Sequence, residues 1–460
     1  MTSADDGRPA TAAPKGFRFF LFASPQLALA TLGLPIVIYL PAYYAGPVGL
    51  GLVATGLIFM TARFWDVLID PLIGWAVDRF PTRWGRRKVW MIAATGPMIV
   101  ATLALCFPPE GVGGAWLSFW LFFIYIWWML IHICHLAWAS ELSNDYDERT
   151  AIQSRIMLVY FAGLLLVLTG PIIAAAVLGD SGIEQKVRAM GLYTAVLLPV
   201  TVAACCLVSR EPDVPVASRT LEKMGWREAA GIVIGNPALL RVLGTDMFAG
   251  LSNGIASGLF VYFTAEVLRL ERLTLFGAPV DPGFLLLITF VGAMAGVPLW
   301  SRLAVRVGKH RAVAASAMLN CAAFLCVILL PGLGFAWVAL FYLVTGIAFG
   351  APPFLDRAIL GDVIDLDQTK TGAQRSGLLF ALLTTTNKIG YALPVGLLFP
   401  ALALVGFNPN GGNTPEAIAW LTAMFVVLPL LCNLAIIGLM WRFPIDRAVQ
   451  AELRAQLARA

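Results

Sequence analysis

"RFWDVLIDPLIGW", residues 63–75, decides the fold. Most of it suits hydrocarbon, yet Arg63, Asp66 and Asp70 recur at spacings of three and four, which at about 100° per residue puts all three on one face of a helix. A charge presented to lipid costs at least about 2.5 kcal/mol, so that face must turn into a bundle of other helices. The rest of the chain supplies one. Of its 460 residues 59% are hydrophobic and 13% are charged, with a mean hydropathy of +0.81; a soluble domain carries about 25% charged residues. Twelve apolar stretches can each cross a bilayer, over approximately 19–44, 49–77, 88–107, 114–140, 156–178, 190–209, 238–266, 283–305, 312–331, 334–360, 376–405 and 415–441. Backbone amides in lipid must be satisfied within their own segment, so the expectation is an all-α membrane protein with twelve transmembrane helices.

The loops sort by charge. Alternate connections on one side hold 26 of the 32 Lys and Arg, against Lys186, Arg188, Arg269 and Arg272 on the other, with Arg63 and Lys388 left inside the membrane. The positive-inside rule then places both termini in the cytoplasm, in a bacterial-type inner membrane. Residues 1–18 read as a disordered cytoplasmic tail without the basic-then-apolar order of a signal peptide. A six-helix half follows over 19–209, a cytoplasmic central loop over 210–237, a second six-helix half over 238–441, and a cytoplasmic tail over 442–460.

The two halves share landmarks. "ELSNDYDERTAIQ" (141–153) and "DVIDLDQTKTGAQ" (362–374) align at an offset of 221 residues, and "RWGRRK" (83–88) and "RVGKHR" (306–311) at 223. Nearly equal offsets in the same orientation argue for a parallel duplication, the plan of major-facilitator transporters.

Asp66 and Asp70, one turn apart, make a candidate cation or proton site, because neighbouring like charges resist ionising together. The alternative is a charge-balanced staple in which Arg63 and Lys388 pair with both acids and no ligand enters. Lys388, in "TTTNKIGYALP" (384–394), is either a partner of these acids or a lysine snorkelling to the interface. His132, in "IHICHLAWASEL" (131–142), is either a packed core histidine or a third member of the cation site. The turns "DRFPTRWGRR" (78–87) and "RVGKHR" suit pairing with helix ends. They nominate a cytoplasmic gate of Asp78, Arg83, Arg86, Arg87, Arg149, Asp362, Asp365 and Arg375, against the alternative of a solvated loop with positive-inside bias. The seven cysteines lie in apolar segments without C-x-x-C spacing, and the three histidines are scattered, so no disulfide, metal site or cofactor is expected. With no nucleophile–base pair and no phosphate-cradling glycine loop, no enzyme is expected either.

Together "RFWDVLIDPLIGWAVDRFPTRWGRRKVW" (63–90), "ASELSNDYDERT" (139–150) and "DVIDLDQTKTGAQRSGLLFALLTTTNKIG" (362–390) resemble the glycoside-pentoside-hexuronide:cation symporter family of the major facilitator superfamily. The resemblance implies cation-coupled symport of a small organic solute by alternating access. The acids matching Asp66 and Asp70 would serve ion and substrate, with Arg63 beside them, and the lysine matching Lys388 would touch both sites. Melibiose-type members carry an amide where Ile69 stands and a carboxylate where His132 stands. Sodium wants several oxygen ligands, so H+ is the expected coupling ion, with Na+ as the alternative. Ala30 replaces the family's sugar-binding carboxylate on the first helix. A solute with an apolar part is therefore expected, lined by aromatics among Tyr43, Tyr44, Tyr125, Trp127, Trp128 and Trp138, with Trp128 nominated for substrate. Those rings are also ordinary membrane packing. The partners expected are a small-molecule substrate and the lipid bilayer, with no nucleic acid, and the chain is expected to be a monomer. Two other readings stay open: a proton-coupled exporter of an amphipathic or lipid-like compound, and a non-transporting receptor or assembly factor.

Overall fold

A computed structural model of the chain describes residues 16–79, 85, 87–142, 152, 155–156, 158–169, 182–209, 211, 235–270, 274–275, 278–330, 332–371, 376–446, 449–450 and 452. Thirteen helices carry the fold among them. They are α1 (Phe17–Leu34), α2 (Leu52–Arg79), α3 (Lys88–Cys106), α4 (Gly114–Glu141), α5 (Leu158–Thr169), α6 (Ile183–Val208), α7 (Pro237–Tyr262), α8 (Pro282–Val307), α9 (Lys309–Cys326), α10 (Phe335–Phe349), α11 (Pro352–Thr371), α12 (Ser376–Leu404) and α13 (Pro415–Trp441). Among the described residues, ten stretches are long and apolar enough to cross a membrane. The fifth and ninth expected spans correspond to α5 and to α9, whose start carries Lys309, His310 and Arg311. The protein is an all-α, multi-pass integral membrane protein.

Several helix starts follow directly from the sequence. Asn236, Asp281 and Thr414 each precede a proline, and each side chain accepts a backbone N–H of the first turn: Leu239 at 3.2 Å, Gly283 at 2.7 Å and Ala417 at 3.2 Å. The proline at the first helical position has no N–H to leave orphaned, and each cap contributes about 1 kcal/mol. α1 continues through a π-turn at Pro35–Tyr39 into Leu40–Ala45, since Pro35 cannot donate into the ladder. The connection from α7 to α8 contains two short antiparallel strands, β1 (Thr274–Leu275) and β2 (Ala278–Pro279).

One expected boundary differs. The span read as 334–360 breaks at Gly350 and Ala351, and α11 then runs from Pro352 to Thr371. Two successive prolines cannot prolong α10 but suit the first turn of a new helix. Asp362 and Asp365 therefore sit on a helix, not in a loop.

The chain divides into two compact units, one comprising Met1–Leu40 and Leu68–Thr220, the other Pro41–Val67 and Leu221–Ala460. In the first, α1 packs on α6, and α3 on α4 and α6. In the second, α7 is central, packed against α12, α13 and α11, while α8 packs on α10. The outer half of α2 belongs to this second unit. Close helix crossings in it are made by glycine. A Cβ on Gly292 would lie 2.5 Å from the Leu343 oxygen, one on Gly296 2.5 Å from that of Ile347, one on Gly350 2.6 Å from that of Ala293, and one on Gly346 would collide with that of Thr289. Gly292/Gly296 and Gly346/Gly350 are thus facing GxxxG pairs on α8 and the end of α10, the arrangement that lets membrane helices gain dispersion contact where no hydrophobic effect drives them together. Trp300 Nε1 closes the seam by donating to the Ile347 carbonyl at 2.6 Å.

Replacing Gly346 by valine should cost on the order of 1–3 kcal/mol, the usual penalty of overpacking. A Cβ at Gly438 meets nothing within 4 Å, so Gly438→Val should leave stability unchanged. Thermal unfolding of the two variants in the same detergent checks the pair.

Candidate functional site

The candidate site grows from a second glycine crossing, between α2 and α12. A Cβ on Gly56 would meet the Val395 oxygen at 2.7 Å and Phe399 Cβ at 2.9 Å, and Gly396 accommodates Met60. Ten residues along α2 from Gly56 is Asp66, and eight residues back along α12 from Gly396 is Lys388, about 15 and 12 Å at 1.5 Å per residue. The helices run antiparallel, so the two side chains arrive at one level. Lys388 Nζ lies 3.2 Å from Asp66 Oδ2, and Arg63 Nη1 lies 3.9 Å from the same oxygen. Asp66 is 1% exposed. Its Oδ1 is also buried and has no hydrogen-bond partner among the described residues. Lys388 is turned inward onto the acid, not out to the interface.

A third crossing, between α7 and α12, fixes the turn that carries Lys388. Cβ atoms on Gly250 and Gly390 would stand 2.8 Å from the Asn387 oxygen and 2.6 Å from the Met247 oxygen. Asn387 Nδ2 donates to Asp246 Oδ1 at 3.1 Å, and Thr386 Oγ donates to Asp246 Oδ2 at 3.4 Å. The sequence reading missed Asp246. Its signal was a lone acid in the apolar run "VLGTDMFAG" (242–250), the same anomaly that exposed Asp66.

In the first unit Asp70 follows Asp66 by one turn of the continuous α2 and is half-buried. His132 is half-buried on α4. His135, one turn further, is fully buried: Gln26 Nε2 lies 3.0 Å from its Nδ1, and its Nε2 is 2.8 Å from the Phe22 carbonyl oxygen. A carbonyl only accepts, so Nε2 carries a proton and donates. Other polar groups of α1 are also engaged within the unit. Thr31 bonds Thr194 at 2.9 Å, and Ser24 Oγ donates to the Thr201 carbonyl at 3.2 Å. Ala30 is fully buried, 2.9 Å from where a Cβ on Gly163 would stand, so this position packs against α5 and has no room for a sugar-binding carboxylate. Trp128 lies over Gly33 of α1 and stacks on Tyr125 at 5.9 Å. Its Nε1 is buried without an acceptor among the described residues.

Of the nominated gate residues, Arg83, Arg86, Arg149 and Arg375 lie outside the described residues, as does the side chain of Asp78. The glycines of the two basic turns nonetheless share a backbone conformation. Gly85 has φ 128° and Gly308 φ 100°, the left-handed region that favours glycine, at equivalent positions of the repeat. Each turn is held by an acid from its own unit. Glu211, beyond α6, accepts the backbone N–H groups of Arg87, at 3.0 Å, and of Lys88. Asp362 on α11 takes Lys309 Nζ at 2.8 and 2.7 Å and also bonds Gln450. Asp365 is half-buried on α11.

The family model described as "MFS/sugar transport protein" matches residues 21–447. The chain belongs to that family. MFS/sugar transport relatives include the glucuronide carrier protein homolog of Escherichia coli (strain K12), 23% identical over 89% of this chain and 88% of that one. The uncharacterized symporter YnaJ of Bacillus subtilis (strain 168) is 22% identical over 89% and 87%, and the sodium-dependent lysophosphatidylcholine symporter 1 of Homo sapiens is 21% identical over 85% and 76%. Among solved structures, a variant of the nucleoside transporter NupG superposes with a TM-score of 0.67 at 13% identity, over 92% of this chain and 100% of that one. That likeness establishes the major facilitator fold. As an MFS/sugar transport protein the chain is a secondary active transporter, not an enzyme.

In this MFS/sugar transport protein, removing Lys388 strands a buried carboxylate, which costs about 3–5 kcal/mol when a buried pair is broken from one side. Lys388→Met should therefore lower the melting temperature, and Asp66→Asn in the same chain should recover most of the loss. Thermal unfolding of the single and double variants measures that coupling.

Proposed function

We propose that the protein is a proton-coupled symporter that imports a small organic solute with an apolar part. Asp66 carries the reading. One of its oxygens is held by Lys388 and approached by Arg63, and the other is buried and bonded to nothing described. A carboxylate so placed can accept one proton on its free oxygen without rearrangement. When it does, the hold of Asp66 on Lys388 and Arg63 weakens, and that weakening is the signal that passes from ion to substrate. Asp70, one turn on, is the second acid of the relay. A hard metal cation would need about six oxygen ligands, and Ile69 and His132 offer none.

The cargo is argued from the donors left over. A sugar site needs several convergent polar groups, and on α1 Ser24, Gln26 and Thr31 are engaged within the bundle. Relatives are named for glucuronide, glycoside/cation and lysophosphatidylcholine transport, which supports a glycoside or glucuronide with an apolar aglycone as the cargo. The bias of Lys and Arg puts both termini in the cytoplasm of a bacterial-type inner membrane, with the basic turns at Gly85 and Gly308 on the cytoplasmic side as its gate. The chain works as a monomer.

Proteoliposomes loaded with a pH dye test the reading, with methyl and phenyl glucuronides, simple sugars and lysophosphatidylcholine as probes. One class should acidify the lumen in sodium-free buffer, and Asp66→Asn and Asp70→Asn should each reduce uphill accumulation to background while downhill equilibration persists. Uptake that requires sodium, or uphill transport unaltered in both variants, overturns it.

A further inference from the structure

A second acidic pair lies in the C-terminal part of the chain, apart from Asp66 and Asp70. Asp356 on α11 is 1% exposed, and neither of its carboxylate oxygens has a hydrogen-bond partner among the described residues. It interacts electrostatically with Asp246 on α7, the helix against which α11 packs. Asp246 is itself buried, and its oxygens are the ones that accept Asn387 and Thr386. Thus a bonded carboxylate and an unbonded one, both buried, lie on packed helices within electrostatic reach of each other.

The charges around the pair do not neutralise it. On α11 the neighbouring Arg357 acts on both acids, but it is exposed and its Nη1 donates to the Pro353 carbonyl. From α9 the nearby cation is Lys309, which is committed to Asp362. From α12 it is Lys388, which holds Asp66. α7 contributes Asp246 itself. Two ionised carboxylates left together in this setting would carry an uncompensated charge of the kind that costs several kcal/mol per ion. One proton taken up by the pair removes that cost.

We propose that Asp246 and Asp356 form a second proton-binding site, holding one exchangeable proton between them in addition to the one assigned to Asp66 and Asp70. The ligand is a proton and not a metal ion, because both oxygens of Asp246 already accept side-chain donors and, among the described residues, no group of three or more His, Cys, Asp or Glu is placed to hold a metal ion. The site reports to the transport machinery through three consecutive residues. Asp246 grips Thr386 and Asn387, and the next residue is Lys388. Loading the pair weakens the grip from a charge-assisted to a neutral hydrogen bond, which is roughly half as strong, and so loosens the turn that aims Lys388 at Asp66. The inference stands on residues separate from those of the proposed symport site.

Infrared difference spectroscopy of the full chain in lipid, stepped from alkaline to acidic pH without solute, tests it. In the Asp66→Asn/Asp70→Asn background the carbonyl stretch of a newly protonated carboxyl should remain, and adding Asp356→Asn or Asp246→Asn should abolish it. Asp356→Glu should restore the band at a shifted frequency, and it decides the matter if the asparagine variants do not fold. Exchanging potassium for sodium at fixed pH should leave the band unchanged. The proposal is overturned by a spectrum with no carboxyl band left in the Asp66→Asn/Asp70→Asn background, by a band that survives both Asp356→Asn and Asp246→Asn, or by displacement of the band with sodium. Were Asp66 and Asp70 not proton sites, the wild-type and Asp66→Asn/Asp70→Asn spectra would coincide while the Asp356 result stood, so the two readings fail separately.

Discussion

A carboxylate at 1% exposure in an apolar bundle is the constraint on which the rest depends. Asp66 cannot face lipid and cannot stay ionised without cations at hand. Lys388 comes from more than three hundred residues away in sequence, and it can reach Asp66 only because α2 and α12 touch at Gly56 and Gly396. The electrostatics thus requires the packing, and the packing requires residues with no side chain. The same logic repeats between α7 and α12, where Gly250 and Gly390 bring Asn387 onto Asp246. Two polar contacts from consecutive residues of one helix are each positioned by a glycine crossing.

Much of this was legible in the residues. The hydrophobic stretches foretold the helices, and the spans expected to begin at 238, 283 and 415 start within one residue of α7, α8 and α13. The face shared by Arg63, Asp66 and Asp70 followed from helical spacing alone. The offset between "RWGRRK" and "RVGKHR" foretold that Gly85 and Gly308 occupy the same turn, and both have positive φ. What escaped the sequence depends on contacts between distant segments. Asp246 and Asp356 look like stray acids until α7, α11 and α12 are assembled. The break at Gly350 was hidden because an apolar run reads the same whether one helix or two traverse it. His135, one turn beyond His132, is bonded to Gln26 and the Phe22 carbonyl, and nothing in "HICH" distinguishes the two histidines before Gln26 is placed beside one of them.

The two basic turns show how a duplicated plan diverges. Their glycines both have positive φ, but Glu211 receives amide hydrogens in one, while Asp362 receives a lysine ammonium in the other. The first contact is a helix-terminus cap and the second an ion pair, so screening by salt should act on them unequally.

The glycine seams also set how this chain can change over time. Any substitution at Gly56, Gly250, Gly346 or Gly390 adds at least a Cβ, and the atoms waiting for it include backbone carbonyls, which cannot rotate aside as a side chain does. There is no conservative replacement at such a position, not even alanine. The sequence is therefore free to drift over its lipid-facing surface, while inherited variation along the seams is confined to compensated pairs, in which one helix yields only when its neighbour has already moved away.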